Sequence, residues 1–234
     1  MQKLAIVIPA YNESASISGL IRELNATQID GFQLVPVVVN DCSKDNTAEI
    51  VRKENCVLID LPVNLGIGGA VQSGFIYAYE NNFDFAIQVD GDGQHPPREI
   101  VKLLNCLIAE NANIVIGSRF ISKEGFQSSG LRRMGINYLR YLILLLTGKK
   151  ITDATSGFRL FDRKTLELVQ NYYPDEYPEP ESLIYFHRKK LKIVETQVEM
   201  LERQGGVSSI RAFKTIYYMV KVSLAIFYTF IRTK

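Results

Sequence analysis

The stretch 4-LAIVIPAYNE-13 decides how the chain is read. Its apolar run of six residues suits a buried strand and is too short for a helix, and it ends in a polar turn of Tyr, Asn and Glu. The same order recurs along the first half of the chain. Residues 34–39 (LVPVVV) lead into 40-NDCSKDNT-47, residues 57–61 (VLIDL) precede 64-NLGIGGA-70, and residues 85–89 (FAIQV) run into 90-DGDGQ-94. A fifth run follows at 113–117 (NIVIG), and helix-like stretches lie between the runs at about 14–26, 44–54, 67–81 and 97–110. Strands alternating with helices of this length imply right-handed crossovers, hence an α/β fold with a mostly parallel, Rossmann-like sheet covered on both faces. Pro36 inside the second run predicts a bulge or an open strand edge there. Open α/β sheets bind ligands at the carboxyl ends of their strands, and the polar clusters all fall there.

Bulk composition fits an ordinary globular protein, at 47% apolar and 22% charged residues. The net charge of +2 hides an asymmetry: residues 1–117 hold 7 Lys and Arg against 14 Asp and Glu, whereas 118–234 hold 20 against 11. A basic second half points to an anionic partner, phosphate or membrane surface. No basic block interleaved with aromatics marks nucleic acid, which is excluded as a partner. Cys42, Cys56 and Cys106 lack metal or redox spacing and suit a reducing compartment. No linker, repeat or low-complexity tract divides the chain.

The clusters at the strand ends match the needs of a nucleoside diphosphate. Glu13 and Asp41 can accept hydrogen bonds from ribose hydroxyls and a base N–H. Asp45 reads instead as a cap for the helix beginning near Asn46. Gly66, Gly68 and Gly69 allow backbone to approach a ligand before a helix starts. Asp90 and Asp92 sit one residue apart in a tight turn and fit a hard divalent cation, with Gln94 as a neutral oxygen ligand. An EF-hand loop counted from Asp90 fails, because position 6 is His95 and position 12 is Val101. His95, between the turn and Pro96–Pro97, suits a structural role as well as a chemical one.

Taken in order, IPAYNE, NDCSKDNT, NLGIGGAVQSG, DGDGQHPP, IGSRF, DATSGFRLF and ERQGGVSS resemble the family 2 glycosyltransferases of GT-A fold, in particular the polyprenyl-phosphate branch that includes dolichol-phosphate mannose synthases. The resemblance implies that Pro9, Tyr11, Glu13 and Asp41 cradle the nucleoside, and that Asp90, Asp92 and Gln94 hold Mg2+ or Mn2+ on the donor diphosphate. It places Arg119 and Arg203 by the phosphates or the sugar. It also places Arg133, with Asn137 where relatives carry Ser, on the lipid phosphate, and Glu181 on the acceptor side. Its implied product is a polyprenyl-phosphate sugar made from a UDP-linked glucose or N-acetylglucosamine, used to decorate a cell-surface polysaccharide.

Phosphate as acceptor also suits the residue chemistry. A hydroxyl acceptor needs a general base, whereas a phosphate oxygen is already anionic and needs cations to position it. The second half supplies Arg119, Arg132, Arg133, Arg159 and Arg203, and Asp153 could orient Arg159 or the acceptor, or merely cap a turn. A single displacement predicts inversion at the anomeric carbon. Transfer to a sugar or protein hydroxyl, and a nucleotide-binding module without catalysis, are the rival readings.

The expected layout is a catalytic domain over 1–207, with a nucleotide-sugar half (1–117) and an acceptor half (118–207), followed by an amphipathic helix in 208–234. Residues 136–147 (INYLRYLILLLT) form an apolar helix of about 18 Å, too short to cross a bilayer. Residues 211–231 are long enough, but Lys214 and Lys221 fall on one face and disfavour a span. The reading is a helix lying in the cytoplasmic leaflet of the plasma membrane, against the alternative of a helix packed on the catalytic domain or on a partner, a second copy or a small membrane protein. 149-KK-150 and 188-RKK-190 read as a solvated basic face near anionic head groups.

Overall fold

A computed structural model of the chain describes residues 1–121, 130–201 and 214–233; the side chains of 130–133 and 214–218 fall outside that description. The expected strands form as β1 (Gln2–Ala10), β2 (Phe32–Asn40), β3 (Val57–Asp60), β4 (Phe85–Gln88) and β5 (Ile114–Ser118). The helices between them are α1 (Ile17–Ala26), α2 (Thr47–Val51), α3 (Gly66–Glu80) and α4 (Ile100–Glu110), the last preceded by a 3-10 turn at Pro97–Glu99. Beyond β5 lie α5 (Gly130–Thr147), β6 (Arg159–Asp162), α6 (Arg163–Asn171), α7 (Pro178–Arg188), β7 (Ile193–Gln197) and α8 (Lys214–Arg232).

All seven strands join one sheet in the order β3-β2-β1-β4-β6-β5-β7. Pairings are parallel except those of β6, which runs antiparallel to both β4 and β5. β6 comes from the second half of the sequence yet separates two strands of the first, so both halves of the sequence share one sheet. Pro36 pairs in register with Ile6, whereas the pairing of β2 with β3 begins at Val37. β2 therefore has an open side where the missing N–H falls, as the strand-edge expectation required.

Successive side chains of a strand point to opposite faces, and β1 is buried on both. Leu4, Ile6 and Ile8 pack with α1 and α4, while Ala5 and Val7 pack with α3 and the later helices. The core on this second side extends through Leu139 and Ile143 of α5 and Leu183 of α7 to Val222 and Ile226 of α8. The helix α8 thus packs on the rest of the fold with its inner face, which is the alternative the sequence left open, and its outer face is exposed. Among the described residues no helix is long and apolar enough to cross a membrane.

Candidate active site

The strand order reverses between β2–β1 and β4, and a cleft of about 770 Å³ opens at the carboxyl ends of β1 and β4. Pro9, Ala10, Tyr11, Asn12 and Glu13 line one wall, with Asp41, Asn64, Gly66, Ile67 and Ala70 beside them. Gln88, Asp90, Gly91 and Asp92 form the facing wall, and Glu179 reaches in from α7. The expected nucleoside residues Pro9, Tyr11, Glu13, Asp41 and Gly66 are therefore brought together with both aspartates of the DGD turn.

Local hydrogen bonds fix the first wall. Asn12 takes a left-handed backbone, donates its N–H to Ser43 Oγ at 3.0 Å and accepts from Lys44 N at 2.8 Å. Glu13 N donates to Thr47 Oγ1 at 2.9 Å, and Ser16 Oγ donates to Glu13 Oε2 at 3.1 Å and to Gly91 O at 2.8 Å, joining the two walls. Asp41 has a second task that the sequence did not announce. Its Oδ1 accepts from Leu65 N at 2.6 Å and its Oδ2 from Gly66 N at 3.0 Å, so it shapes the glycine loop as well as facing the cleft.

Gly68 departs from expectation. Its N–H donates to Asp175 O at 2.9 Å, and a Cβ there would lie 2.2 Å from the carbonyl oxygens of both Pro174 and Asp175. The glycine is required for a backbone-to-backbone contact with the α6–α7 connection, outside the cleft lining. Two of the first amides of the loop go to Asp41 and a third to Asp175, so these groups of the α3 N-terminus do not form a phosphate cradle.

The DGD turn is held from beneath. Asp90 N donates to Nδ1 of His95 at 3.0 Å, and the His95 ring stacks on Phe158 at 4.7 Å. Burial holds the His95 imidazole below its usual range against the charges of Asp90 and Asp92, in keeping with a neutral ring whose Nδ1 accepts. Gln88 Nε2 donates to Asp90 Oδ1 at 3.0 Å, and a Cβ at Gly157 would lie 2.6 Å from that nitrogen. The DATSGFR stretch thus leaves room for the amide that steadies Asp90. Gln88 Oε1 is buried without a hydrogen-bond partner among the described residues. Asp92 Oδ1 accepts from Gln94 N at 3.0 Å, closing the turn.

Two acidic side chains on a short turn at the cleft wall are a hard-oxygen donor set, and they fit Mg2+ or Mn2+. Among the described residues no group of three or more His, Cys, Asp or Glu side chains is placed to hold an ion. Gln94 is not brought to the cleft. Its Nε2 reaches Leu201 O at 3.5 Å and its backbone carbonyl accepts from Leu201 N at 3.0 Å, which ties the residue to the segment after β7.

Arg119 and Asp153 meet as a buried pair behind the cleft. Arg119 Nε and Nη2 donate to the two Asp153 oxygens at 2.7 and 2.8 Å, and Nη2 also reaches Thr155 Oγ1 at 3.3 Å. Burial works against the Arg119 charge, but hydrogen bonding and attraction to Asp153 outweigh it and hold the guanidinium above its usual range, with Asp90 adding to the effect. Glu195 of β7, unforeseen from the sequence, orders Asp153 in turn, accepting from Asp153 N at 2.8 Å and Thr152 N at 2.7 Å.

Arg159 corrects an expectation. It is 1% exposed and donates to the carbonyls of Ala154 and Ser156 and to Ser182 Oγ, so it braces the 154–156 loop against α7 and has no path to a lipid phosphate. Asn137 is exposed on α5, outside the cleft lining. Arg203, and the side chains of Arg132 and Arg133, lie outside the described residues. Glu181 also departs from its expected place: its Oε1 accepts from Tyr172 OH and, at 2.7 Å, from Thr229 Oγ1, which latches α8 to α7. Glu179, two residues earlier, faces the cleft instead. Burial pushes its carboxyl up; the Arg159 charge opposes that shift, and Asp90 adds to it.

The sequence model of the Glycosyl transferase family 2 matches residues 5–169. The chain belongs to this family. One relative is the UDP-N-acetylglucosamine–dolichyl-phosphate N-acetylglucosaminyltransferase of Methanococcus voltae, 29% identical over 94% of this chain and 95% of the relative. Another is the undecaprenyl-phosphate 4-deoxy-4-formamido-L-arabinose transferase of Edwardsiella ictaluri, 29% identical over 94% of this chain and 66% of the relative. Among solved structures, glucosyl-3-phosphoglycerate synthase of Mycobacterium tuberculosis in complex with Mn2+, UDP and glucosyl-3-phosphoglycerate superposes with a TM-score of 0.67. That match covers 98% of this chain and 79% of the other at 18% identity. This family 2 chain therefore has the GT-A-like sheet that its motifs implied.

Proposed function

We propose that this family 2 glycosyltransferase moves a sugar, glucose or N-acetylglucosamine, from a UDP-linked donor to the phosphate of a polyprenyl phosphate such as undecaprenyl phosphate. It works at the cytoplasmic face of the plasma membrane, and its product serves cell-surface polysaccharide decoration. The observation that carries the reading is the cleft at the strand-order reversal, where Asp90 and Asp92 face Pro9, Tyr11, Glu13 and Asp41. The two relatives named above act, by their names, on dolichyl and undecaprenyl phosphate, and their donor sugars differ.

The nucleoside lies on the first wall and the diphosphate at the DGD turn. Asp90 and Asp92 would hold Mg2+ or Mn2+, which when bound supplies counter-charge for the departing diphosphate. Gln88 and His95 keep Asp90 in place, and Arg119, locked by Asp153, supplies a fixed positive charge near that turn. The acceptor phosphate oxygen bonds to the anomeric carbon as the bond from that carbon to the diphosphate breaks. The electron pair leaves with the nucleoside diphosphate, and the anomeric centre inverts. Arg133 and Arg203 remain candidates for the phosphates on resemblance.

Glu179 favours a second reading. A cleft carboxylate pushed up by burial is suited to take a proton from a hydroxyl acceptor. Radiolabelled donors tested against undecaprenyl phosphate in detergent separate the two. Label is expected in the organic phase, lost in Asp92→Asn and retained in Glu179→Gln. Lipid product undiminished in Asp92→Asn refutes the metal-site assignment. Transfer to a soluble acceptor that Glu179→Gln abolishes decides for the hydroxyl reading, and nucleotide binding without any transfer decides for a binding module.

A further inference from the structure

Glu179 lines the cleft, yet transfer to a phosphate gives it no task, because an anionic acceptor needs no base. The charges that act on its carboxyl are those of Arg159 and Asp90, so it stands beside the DGD turn. Arg159 is committed elsewhere: its three guanidinium nitrogens donate to Ser156 O, Ser182 Oγ and Ala154 O.

The segment that carries Glu179 is held on every side. Pro178 and Pro180 flank the residue in the first turn of α7 and restrict the backbone there. Its own carbonyl accepts from Ser182 Oγ at 3.2 Å, and Ser182 Oγ accepts from the buried Arg159 at 3.0 Å. Just before α7, the carbonyls of Pro174 and Asp175 close on Gly68 of α3. A side chain on so fixed a support is suited to reading a ligand.

Gln88 lies on the same side of the sheet. It pairs in register with Val7, whose side chain packs in the core shared by α3 and α7. Its Nε2 is committed to Asp90, while its Oε1 is buried without a partner among the described residues. This side of the cleft therefore offers acceptor oxygens from Gln88, Asp90 and Glu179. None of the described residues lining the cleft is Lys or Arg, whereas Glu13, Asp41, Asp90, Asp92 and Glu179 are acidic. A phosphate or carboxylate at Glu179 would meet these acids with no side-chain cation to offset them; an uncharged group that brings O–H donors fits. With the nucleoside on the first wall and the diphosphate at the DGD turn, the group that follows is the sugar of the donor.

We propose that Glu179 selects the donor: its carboxyl accepts a hydrogen bond from a hydroxyl of a neutral sugar on the nucleotide, with Gln88 Oε1 as a further acceptor on the same side. The proposal rests on the nucleotide-sugar reading of the cleft and deepens it, naming the residue that tells a nucleotide-sugar from the bare nucleotide. It sets Glu179 on the donor, apart from the base role it would have toward a hydroxyl acceptor.

Calorimetric titration of the full chain with UDP, UDP-glucose and UDP-N-acetylglucosamine, in Mn2+ and without acceptor, tests this. In Glu179→Ala the affinity for UDP is expected to stay within about twofold. Affinity for the UDP-sugar that the unmodified chain binds more tightly should fall about tenfold, the worth of one hydrogen bond to a carboxyl group. Glu179→Gln keeps an acceptor oxygen in the same place and should stay within about threefold for both ligands. UDP-glucuronate should bind the unmodified chain at least about tenfold more weakly than the neutral donor. If Glu179→Ala does not fold, Glu179→Ser carries the same test. UDP-sugar binding by Glu179→Ala at the level of the unmodified chain overturns the proposal and leaves the residue to the base role. An equal loss of UDP and UDP-sugar also overturns it, because a merely structural role would weaken both. UDP-glucuronate bound as tightly as UDP-glucose overturns the choice of a neutral sugar. An unmodified chain that binds none of these nucleotides overturns the donor reading itself, whereas one that binds them without regard to residue 179 removes this proposal alone.

Discussion

Asp153→Ala is the substitution with the largest expected effect on stability outside the aliphatic core. Asp153 is fully buried and takes Arg119 in two parallel hydrogen bonds at 2.7 and 2.8 Å. Arg119 is only 8% exposed, so removing the carboxylate leaves a desolvated guanidinium without its two-pronged partner. Breaking one side of a buried pair costs about 3–5 kcal/mol, because the remaining charge cannot recover its hydration. For a chain of this length that is a fall in Tm of roughly 10 °C. Removing both partners, as Asp153→Ala with Arg119→Met, is expected to recover part of the loss, since no charge is left stranded. Urea denaturation followed by circular dichroism gives the three free energies and the coupling between the sites. A cost below about 1 kcal/mol for Asp153→Ala, or a double variant no more stable than that single one, would falsify the claim that the pair is a desolvated unit.

Two further outcomes rest on single contacts. Gly68→Ala is expected to cost about 2–4 kcal/mol, from overpacking against two carbonyl oxygens and loss of the bond to Asp175, whereas an alanine tolerated within about 0.5 kcal/mol on thermal melting refutes the close contact. At Asp45 burial pushes the carboxyl up, but hydrogen bonds from Thr47 and Ser14 outweigh it and hold the group at about 2, below its ordinary 3.8. A depressed carboxylate contributes stability that is present above its unfolded pKa and lost as pH falls through the folded one. Acid titration of stability should therefore be steeper between about pH 4 and 2 than in Asp45→Asn, and parallel curves exclude the effect.

Much of the fold was legible because buried parallel strands need continuous aliphatic runs, and 4–9, 34–39 and 113–117 have them. β6 and β7 escaped notice because RLFD and IVETQ carry charged residues that find partners only in the folded sheet region. Arg159 is the clearest case: an arginine is an acceptor-site candidate by charge, and only the fold shows its donors consumed by Ala154, Ser156 and Ser182. That Pro9, Tyr11, Glu13, Asp41 and both aspartates would share one cleft was readable from their place after strands. The choice between Glu179 and Glu181 was not, since residues two apart on a helix point about 200° from each other and the sequence does not say which one faces inward. Asp45 reads as a cap for the helix beginning near Asn46; it stands one residue before the N-cap Asn46, accepts from the first amide of α2 at Thr47, and through Ser14 N also ties in the turn that precedes α1.

The latch at Glu181 changes what the C-terminal segment is for. The boundary expected at residue 207 treats the last helix as an attachment, yet Val222 and Ile226 complete the core beside Leu183, and Thr229 satisfies the carboxylate that also holds Tyr172. Lys221 pairs with Glu176, next to the Asp175 carbonyl that receives Gly68. A chain cut before α8 would lose a wall of its own interior and a brace of its glycine loop, leaving an open, aggregation-prone remnant in place of a soluble catalytic unit.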